Sequence, residues 1–181
     1  REALQPRPTR SINMNRLGAA LDPALDPPVK SLYVYASNPA AVAPDQNAVR
    51  DGLLREDLFT VVHERFLTDT ARFADIVLPA TSSLEHPDLY RAYGHCATQR
   101  CRAVIAPVGE SRSNWRTFQA LAEHMGFDED PFHCSEDEMI DRLLAGPNPW
   151  REGIDAAGLA EGRAVQLRVP GLPPPFGTPS G

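Results

Sequence analysis

Polar side chains suited to holding a nucleotide follow three short apolar runs in the first half of the chain. Asn38 comes after the first run, His63 and Glu64 after the second, and His86 after the third. A carboxylate such as Glu64 accepts two hydrogen bonds, which matches the N1–H and amino group of guanine or two ribose hydroxyls. Asn38 can donate and accept, and His86 can donate to a phosphate oxygen. This chemistry is recognition of a ligand, and we assign no residue to catalysis.

Two predicted helix N-termini add backbone donors to this set. The amides near Thr68 and Asn114 could each hold a phosphate oxygen, because helix N-termini favour anions. Ordinary structural interpretations remain open. Asn38 before Pro39 is typical of a turn, Thr68 and Ser113 are typical helix caps, and the histidines could lie in surface loops. Only a shared position at one edge of a sheet favours the functional interpretation.

The familiar phosphate, nucleophile and metal motifs are missing. The chain has no G-x-G-x-x-G after the first run, no Walker lysine loop and no G-x-S-x-G elbow. The three cysteines, Cys96, Cys101 and Cys134, have irregular spacing that fits neither a disulfide framework nor paired zinc ligands. We therefore expect reduced packing cysteines, no metal ligand in this chain and no catalytic cysteine–histidine pair.

The elements that position the polar residues alternate between strand and helix. Each apolar run is short and nearly continuous, as in strands buried on both faces. We predict strands at Ser31–Ala36, Leu58–Val62 and Asp75–Pro79, a helix from Gln46 to Glu56 capped by Asp45, and a short helix starting at Thr68 or Asp69. Right-handed crossovers then give a parallel sheet whose ligand crevice lies at the carboxyl ends of the strands. The predicted fold class is α/β, a three-layer α/β/α, Rossmann-like, doubly wound arrangement with a mainly parallel sheet and loop-rich flanking arms.

The sequence of the second half of the chain predicts one or two extended segments and two helices. The extended segments fall between His95 and Pro107. One helix is capped by Ser113, ends at Gly126, and should bury Trp115, Phe118, Leu121, Ala122 and Met125. The other begins with a capping box of Ser135 and Glu138 and ends at Gly146. Short helical turns are expected within residues 148–162.

The distribution of proline along the chain predicts its domain organisation. Of 18 prolines, only five fall between residues 31 and 126, which predicts an N-terminal arm at 1–30, an α/β domain at 31–146 and a C-terminal arm and linker at 147–181.

A net charge of −6 argues against nucleic acid or an anionic membrane as the partner. No apolar run approaches the roughly 18 residues of a membrane span, and there is no signal-peptide core. We expect a cytoplasmic protein and, from both ends, a piece of a longer one.

Three segments together carry a family resemblance, and they read "YVYASNPAAVAPDQNAVRDGL", "LFTVVHERFLTDTARFADIVLPATSSLEH" and "APVGESRSNWRTFQALAEHMG". They resemble the molybdopterin oxidoreductase (DMSO reductase) family, especially its formate dehydrogenase-like and nitrate reductase-like members. The combination T-x-T-A-x-x-A-D-x-V-L-P followed by G-E-x-[RK]-x-[DN]-W is specific. The resemblance covers about Ile12 to Gly146, and "FGTPSG" weakly resembles the join to the family's C-terminal barrel.

The resemblance implies an enzyme that holds molybdenum or tungsten between two molybdopterin guanine dinucleotides. This chain resembles the third domain, which grips one of them. By matching motif positions, the expected cofactor contacts are Asn38, His63, Glu64, His86 and Asn114. The family often has Asp at position 64, a basic residue at 86 and Asp at 114. Glu64 keeps the carboxylate, whereas Asn114 loses the charge and a neutral His86 would hold phosphate weakly.

The resemblance also implies parts that lie elsewhere. The family's iron–sulfur motif has no counterpart here, so any cluster belongs to a preceding region, and the metal ligand and the barrel lie in other domains. We therefore expect this piece to be inactive and to bind no cofactor alone. Its partners would be the remaining domains of the parent chain and an electron-transfer protein.

Two other functions remain open at this point. The chain could be a stand-alone, non-catalytic α/β nucleotide-binding or regulatory module, which predicts binding of free guanine nucleotides. It could also be an interaction scaffold, which only the proline-rich flanks support.

Overall fold

Two sheets of different kinds organise the chain. The computed structural model describes residues 10–91, 93–146 and 154–167. The chain divides into two compact units between Ala80 and Thr81, inside the predicted 31–146 domain. The first unit contains a three-stranded parallel sheet and the second a three-stranded antiparallel sheet. The protein is therefore a mixed α/β structure.

The sheet of the first unit confirms the three predicted strands. They are β1 (Ser31–Tyr35), β2 (Phe59–Glu64) and β3 (Ile76–Pro79), all parallel in the order β1-β2-β3. His63 pairs in register with Tyr35 on one side and with Leu78 on the other. The predicted second strand stopped at Val62, whereas β2 continues through Glu64. His63 and Glu64 thus belong to the strand and do not lie in a loop after it.

Short helices precede and connect these strands. They are α1 (Leu17–Ala20), α2 (Pro39–Val42) and α3 (Gln46–Leu53), with 3-10 turns at Met14–Arg16 and Thr70–Phe73. Asp45 caps α3 as predicted, since its side chain accepts a hydrogen bond from the Ala48 amide at 3.4 Å. The helix ends at Leu53, three residues before the predicted end.

Two glycines allow α1 to lie against α3. A Cβ on Gly52 would overlap the Cβ of Leu21, and one on Gly18 would lie 2.7 Å from the Cβ of Ala48. Leu21 is almost fully buried in the main hydrophobic cluster of this unit, together with Val49. This part of the predicted N-terminal arm therefore packs into the core.

The described hydrophobic clusters of the first unit meet one face of its sheet. Leu32, Val34 and Val62 point to that face, because side chains alternate along a strand, and they pack against the helices and the Thr70–Phe73 turn. On the other face, Tyr35, Phe59 and Ile76 are about half exposed. Burial on both faces is thus not found at these positions, and the three-layer arrangement is not confirmed.

The second unit is built on an antiparallel sheet that the sequence did not predict. Its strands are β4 (Asp88–Arg91), β5 (Ala97–Cys101) and β6 (Val165–Gln166), in the order β4-β5-β6. Only β5 lies in a segment predicted to be extended. β4 reads "DLYR" and β6 has two residues, so neither carries an apolar run long enough to indicate a strand.

The helices of the second unit are α4 (Asn114–His124), α5 (Glu136–Ala145) and α6 (Ala156–Ala160), with a 3-10 turn at Asp130–His133. The predicted cap at Ser113 and the capping box at Ser135 are both present.

Burial along α4 differs from the predicted stripe. Ala122 is buried, but Leu121 is exposed and Met125 is 62% exposed. The predicted turns of the C-terminal region are found as α6. Residues 147–153 and 168–181, which include the predicted linker at 171–181, lie outside the described residues.

Candidate functional site

The end of β1 begins the candidate site of the first unit. Ala36 follows β1 with φ +49°, a left-handed conformation that a residue with a Cβ rarely adopts, and its amide donates to the His63 carbonyl at 3.2 Å. The chain then turns into α2, and Asn38 is the N-terminal cap residue of that helix. Because all three strands are parallel, Asn38 and Glu64 lie at the same carboxyl edge of the sheet.

Asn38 connects this edge to the Thr70–Phe73 turn. Its side-chain oxygen accepts hydrogen bonds from the Thr70 amide at 3.1 Å and the Thr70 hydroxyl at 2.8 Å, and its Nδ2 donates to Asp69 at 3.3 Å. The buried Thr70 hydroxyl also accepts from the Ala40 amide at 3.0 Å. Asn38 therefore has a structural role, and its predicted contact with a ligand stays a prediction.

His63 and Glu64 occupy different environments at the end of β2. His63 is fully buried, so the interpretation of this residue as a surface histidine is wrong. The Glu64 side chain is 10% exposed. Its Oε1 accepts from the Arg65 amide at 2.7 Å, and its backbone carbonyl accepts from the Ala80 amide at 3.1 Å. The strand ladder and the Arg65 amide thus hold a carboxylate at the rim of the sheet.

His86 and Asn114 are brought together in the second unit. Both line a cavity of about 310 Å³ whose walls are largely apolar and include Leu89, Trp115 and Ile140. The predicted convergence of all five residues in one crevice stays a prediction.

A second cavity of about 390 Å³ also contains His86 and has a more polar lining. Arg112 and Arg116 line it, together with Ser113 at the N-terminus of α4. Arginine side chains and a helix N-terminus favour phosphate or carboxylate groups. Sequence reasoning missed both arginines, although "SRSNWR" places two cations beside a predicted helix start.

Hydrogen bonds fix the loop that carries His86. The Thr81 hydroxyl lies 2.8 Å from Nδ1 of His86. Glu85 is buried, and its carboxylate accepts from the amides of Ser82 and Val108, each at 2.6 Å. Hydrogen bonds from the Ser82 side chain, the Ser82 amide and the Val108 amide hold the pKa of Glu85 at about 2. The ionised Glu85 carboxylate therefore holds this loop in place through its hydrogen bonds.

No group of three potential metal-binding side chains occurs in the part of the chain that the structure describes. The three cysteines are free thiols, and only Cys134 is buried. The packing interpretation therefore fits Cys134 and is wrong for the exposed Cys96. Among the helices within the described ranges, none is long and apolar enough to cross a bilayer.

Comparison with known proteins identifies the family. The model of the family described as molybdopterin oxidoreductase matches residues 13–124, more than half of the chain. The chain belongs to the molybdopterin oxidoreductase family. The match includes the parallel sheet edge with Asn38 and Glu64 and all of α4.

Relatives of this molybdopterin oxidoreductase chain are much longer proteins. It is 47% identical over 183 residues to the "Probable oxidoreductase YoaE" of Bacillus subtilis (strain 168), covering 99% of this chain and 27% of that protein. It is 36% identical over 141 residues to the "Putative formate dehydrogenase SH0748" of Staphylococcus haemolyticus (strain JCSC1435), covering 78% and 14%. The chain thus spans about a quarter or less of these curated relatives.

A solved structure supports the same family. Acetylene hydratase from Pelobacter acetylenicus superposes with a TM-score of 0.67 and 26% sequence identity. The match covers 85% of this chain and 20% of the acetylene hydratase chain.

Proposed function

We propose that this chain is the part of a molybdopterin-dependent oxidoreductase that binds one molybdopterin guanine dinucleotide of a molybdenum or tungsten cofactor. The metal, when bound, supplies the redox chemistry. The chain itself contributes binding groups and, lacking the metal-ligating residue, is inactive alone. Formate dehydrogenase-like chemistry of the intact enzyme is part of the proposal, because one relative carries that name.

The observation that carries this proposal is the position of Glu64. It is the last residue of β2, at the carboxyl edge of a parallel sheet, and its carboxylate is nearly buried. Ligands of open α/β sheets bind at that edge. A carboxylate there can accept the N1–H and amino hydrogens of guanine. Asn38 and the buried His63 remain the other proposed contacts.

The donors of the second unit suit a phosphate. His86, Arg112 and Arg116 line one cavity at the N-terminus of α4, and the Thr81 contact orients the His86 ring. Asn114 begins α4 and lines the neighbouring cavity. The chemistry of this donor set fits the pyrophosphate of a dinucleotide, which supports His86 and Asn114 as contacts.

The remaining expectations belong to the same proposal. We propose that the intact enzyme completes a three-layer, Rossmann-like domain, acts in the cytoplasm and passes electrons to a protein partner. Any iron–sulfur cluster and the metal ligand would lie in other domains. The net charge of −6 supports a partner other than nucleic acid or an anionic membrane.

The test uses the full-length protein that contains this chain. It is purified in active form, oxidised, and assayed for molybdenum, tungsten and released GMP. We expect one of the two metals together with GMP. Active protein that contains neither metal nor GMP would refute the proposal.

A stand-alone nucleotide-binding module is the second candidate, and the two cavities of the second unit favour it. It predicts that the 181-residue chain binds GMP or GDP by itself. Calorimetry separates the two functions, because the cofactor-binding domain needs the other domains of its parent to complete the site. Absence of binding counts against the module.

A further inference from the structure

The cavity at the N-terminus of α4 contains an acid among its cationic and donor groups. Glu136, the first residue of α5, lines this cavity together with His86, Arg112 and Arg116. Its side chain is 17% exposed. A carboxylate in this position repels an anionic ligand.

Glu136 uses donors that an anion would use. The Ser113 hydroxyl donates to Oε1 of Glu136, and Nε of Arg116 lies 3.4 Å from Oε2. Ser113 is buried at the cap of α4, whereas the Arg116 side chain is 53% exposed. The carboxylate therefore occupies the place of an anion beside the α4 N-terminus.

The position of Glu136 is fixed by the elements around it. Ser135 and Glu138 cap α5 reciprocally. Arg100 of β5 donates from its two terminal nitrogens to Asp137 and Asp141, each at 2.6 Å. These contacts hold the first turns of α5 and so fix the backbone from which the Glu136 side chain reaches the cavity.

We propose that Glu136 is a built-in competitor for the anionic group that binds this cavity. This inference rests on the proposed function, because that function supplies a phosphate-bearing ligand. Two negative groups cannot share the Ser113 and Arg116 donors, since like charges at such distances repel. A pyrophosphate must displace the Glu136 carboxylate, and Glu136 thereby weakens binding of free phosphates and favours a ligand held by further contacts.

The test compares pyrophosphate binding by the cofactor-free full-length protein that contains this chain and by two single variants of it. Calorimetry or a ³¹P NMR titration with inorganic pyrophosphate gives the affinities. Glu136→Gln should bind about three- to tenfold more tightly than the wild type, the scale expected for loss of one partly exposed charge–charge interaction. Glu123→Gln is the matched control, because it removes an exposed acid from α4. It should leave the affinity near that of the wild type.

Two further variants test whether the gain in affinity arises in this cavity. In an Arg116→Ala background the gain from Glu136→Gln should be smaller, because Glu136 then no longer competes for the Arg116 donor. Glu136→Asp keeps the negative charge at the start of α5 with a shorter side chain, and it should give a smaller gain. Thermal unfolding confirms that each variant is folded.

Equal affinities of the Glu136→Gln and Glu123→Gln variants would overturn the proposal. So would a gain of undiminished size in the Arg116→Ala background, because Glu136 would then not act through the Arg116 donor. Neither result affects the proposed function, which depends on the metal and GMP content of the full-length protein. If that protein lacks both while Glu136→Gln tightens pyrophosphate binding, the competitor role stands and the cofactor assignment fails.

Discussion

Thr81 and His86 are joined by a 2.8 Å contact between the threonine Oγ1 and the histidine Nδ1. When the hydroxyl donates to Nδ1, the ring carries its proton on Nε2 and presents that N–H as a donor. His86 lines each of the two cavities described above. Thr81 is therefore a positioning residue for a side chain that we assign to phosphate binding.

Thr81→Val should weaken pyrophosphate binding by about three- to tenfold, because the loss of one hydrogen bond frees the His86 ring. Thr81→Ser keeps the hydroxyl and should bind like the wild type. ¹⁵N NMR of the imidazole would report the tautomer in each variant. An unchanged tautomer and affinity in Thr81→Val would contradict the positioning role.

Asn38→Ala should lower the free energy of unfolding by about 1 to 3 kcal/mol, because it leaves Thr70 without its acceptor in a part-buried network. Asp69→Ala removes only the partner of Nδ2 and should cost less. Urea unfolding of both variants makes the comparison. Equal losses would show that the Asn38 oxygen contributes little.

Gly52→Ala should destabilise the protein by about 1 to 3 kcal/mol, because the added Cβ overlaps the Leu21 side chain. Gly94→Ala is the control. Its φ of +92° makes a side chain unfavourable, but nothing lies within 4 Å of the added Cβ. We expect it to cost about 1 kcal/mol. A Gly52→Ala variant as stable as the wild type would refute the close packing of α1 on α3.

Acid should destabilise the loop around His86 through Glu85. The pKa of Glu85 is lowered from 4.5 to about 2 in the folded protein. A depressed folded-state pKa stabilises the protein above pH 4.5, and this contribution is lost as the pH falls from 4.5 towards 2. Glu85→Gln should therefore flatten the stability profile in that window, measured by unfolding at several pH values. The exposed Glu110→Gln variant should keep the wild-type profile.

Sequence patterns predicted the parallel sheet well because its strands are apolar runs between turn residues. Ser113 and the Ser135–Glu138 pair likewise identified α4 and α5, since a capping side chain is a local signal. The antiparallel sheet was missed because β4 is short and polar and depends on pairing with β5. Such pairing is a tertiary contact without a local sequence signal.

The candidate site was predicted only where a local sequence signal exists. Glu64 could be placed at the end of a strand from its position after "TVV". The burial of His63 and the hydrogen bonds of Asn38 to Thr70 depend on neighbours far along the chain. Glu136 is 23 residues from Ser113, so no local motif indicates that it enters the same cavity.

The most direct test of the central claim is the cofactor content of the full-length protein with Glu64→Ala, assayed beside the wild type. Released GMP and bound molybdenum or tungsten are measured per polypeptide. Glu56→Ala is the control, because Glu56 is an exposed acid outside the sheet. We predict metal and GMP in the wild type and the control, and a clear loss of both in Glu64→Ala. A Glu64→Ala protein that retains wild-type amounts of metal and GMP would contradict the assignment of Glu64 to the dinucleotide.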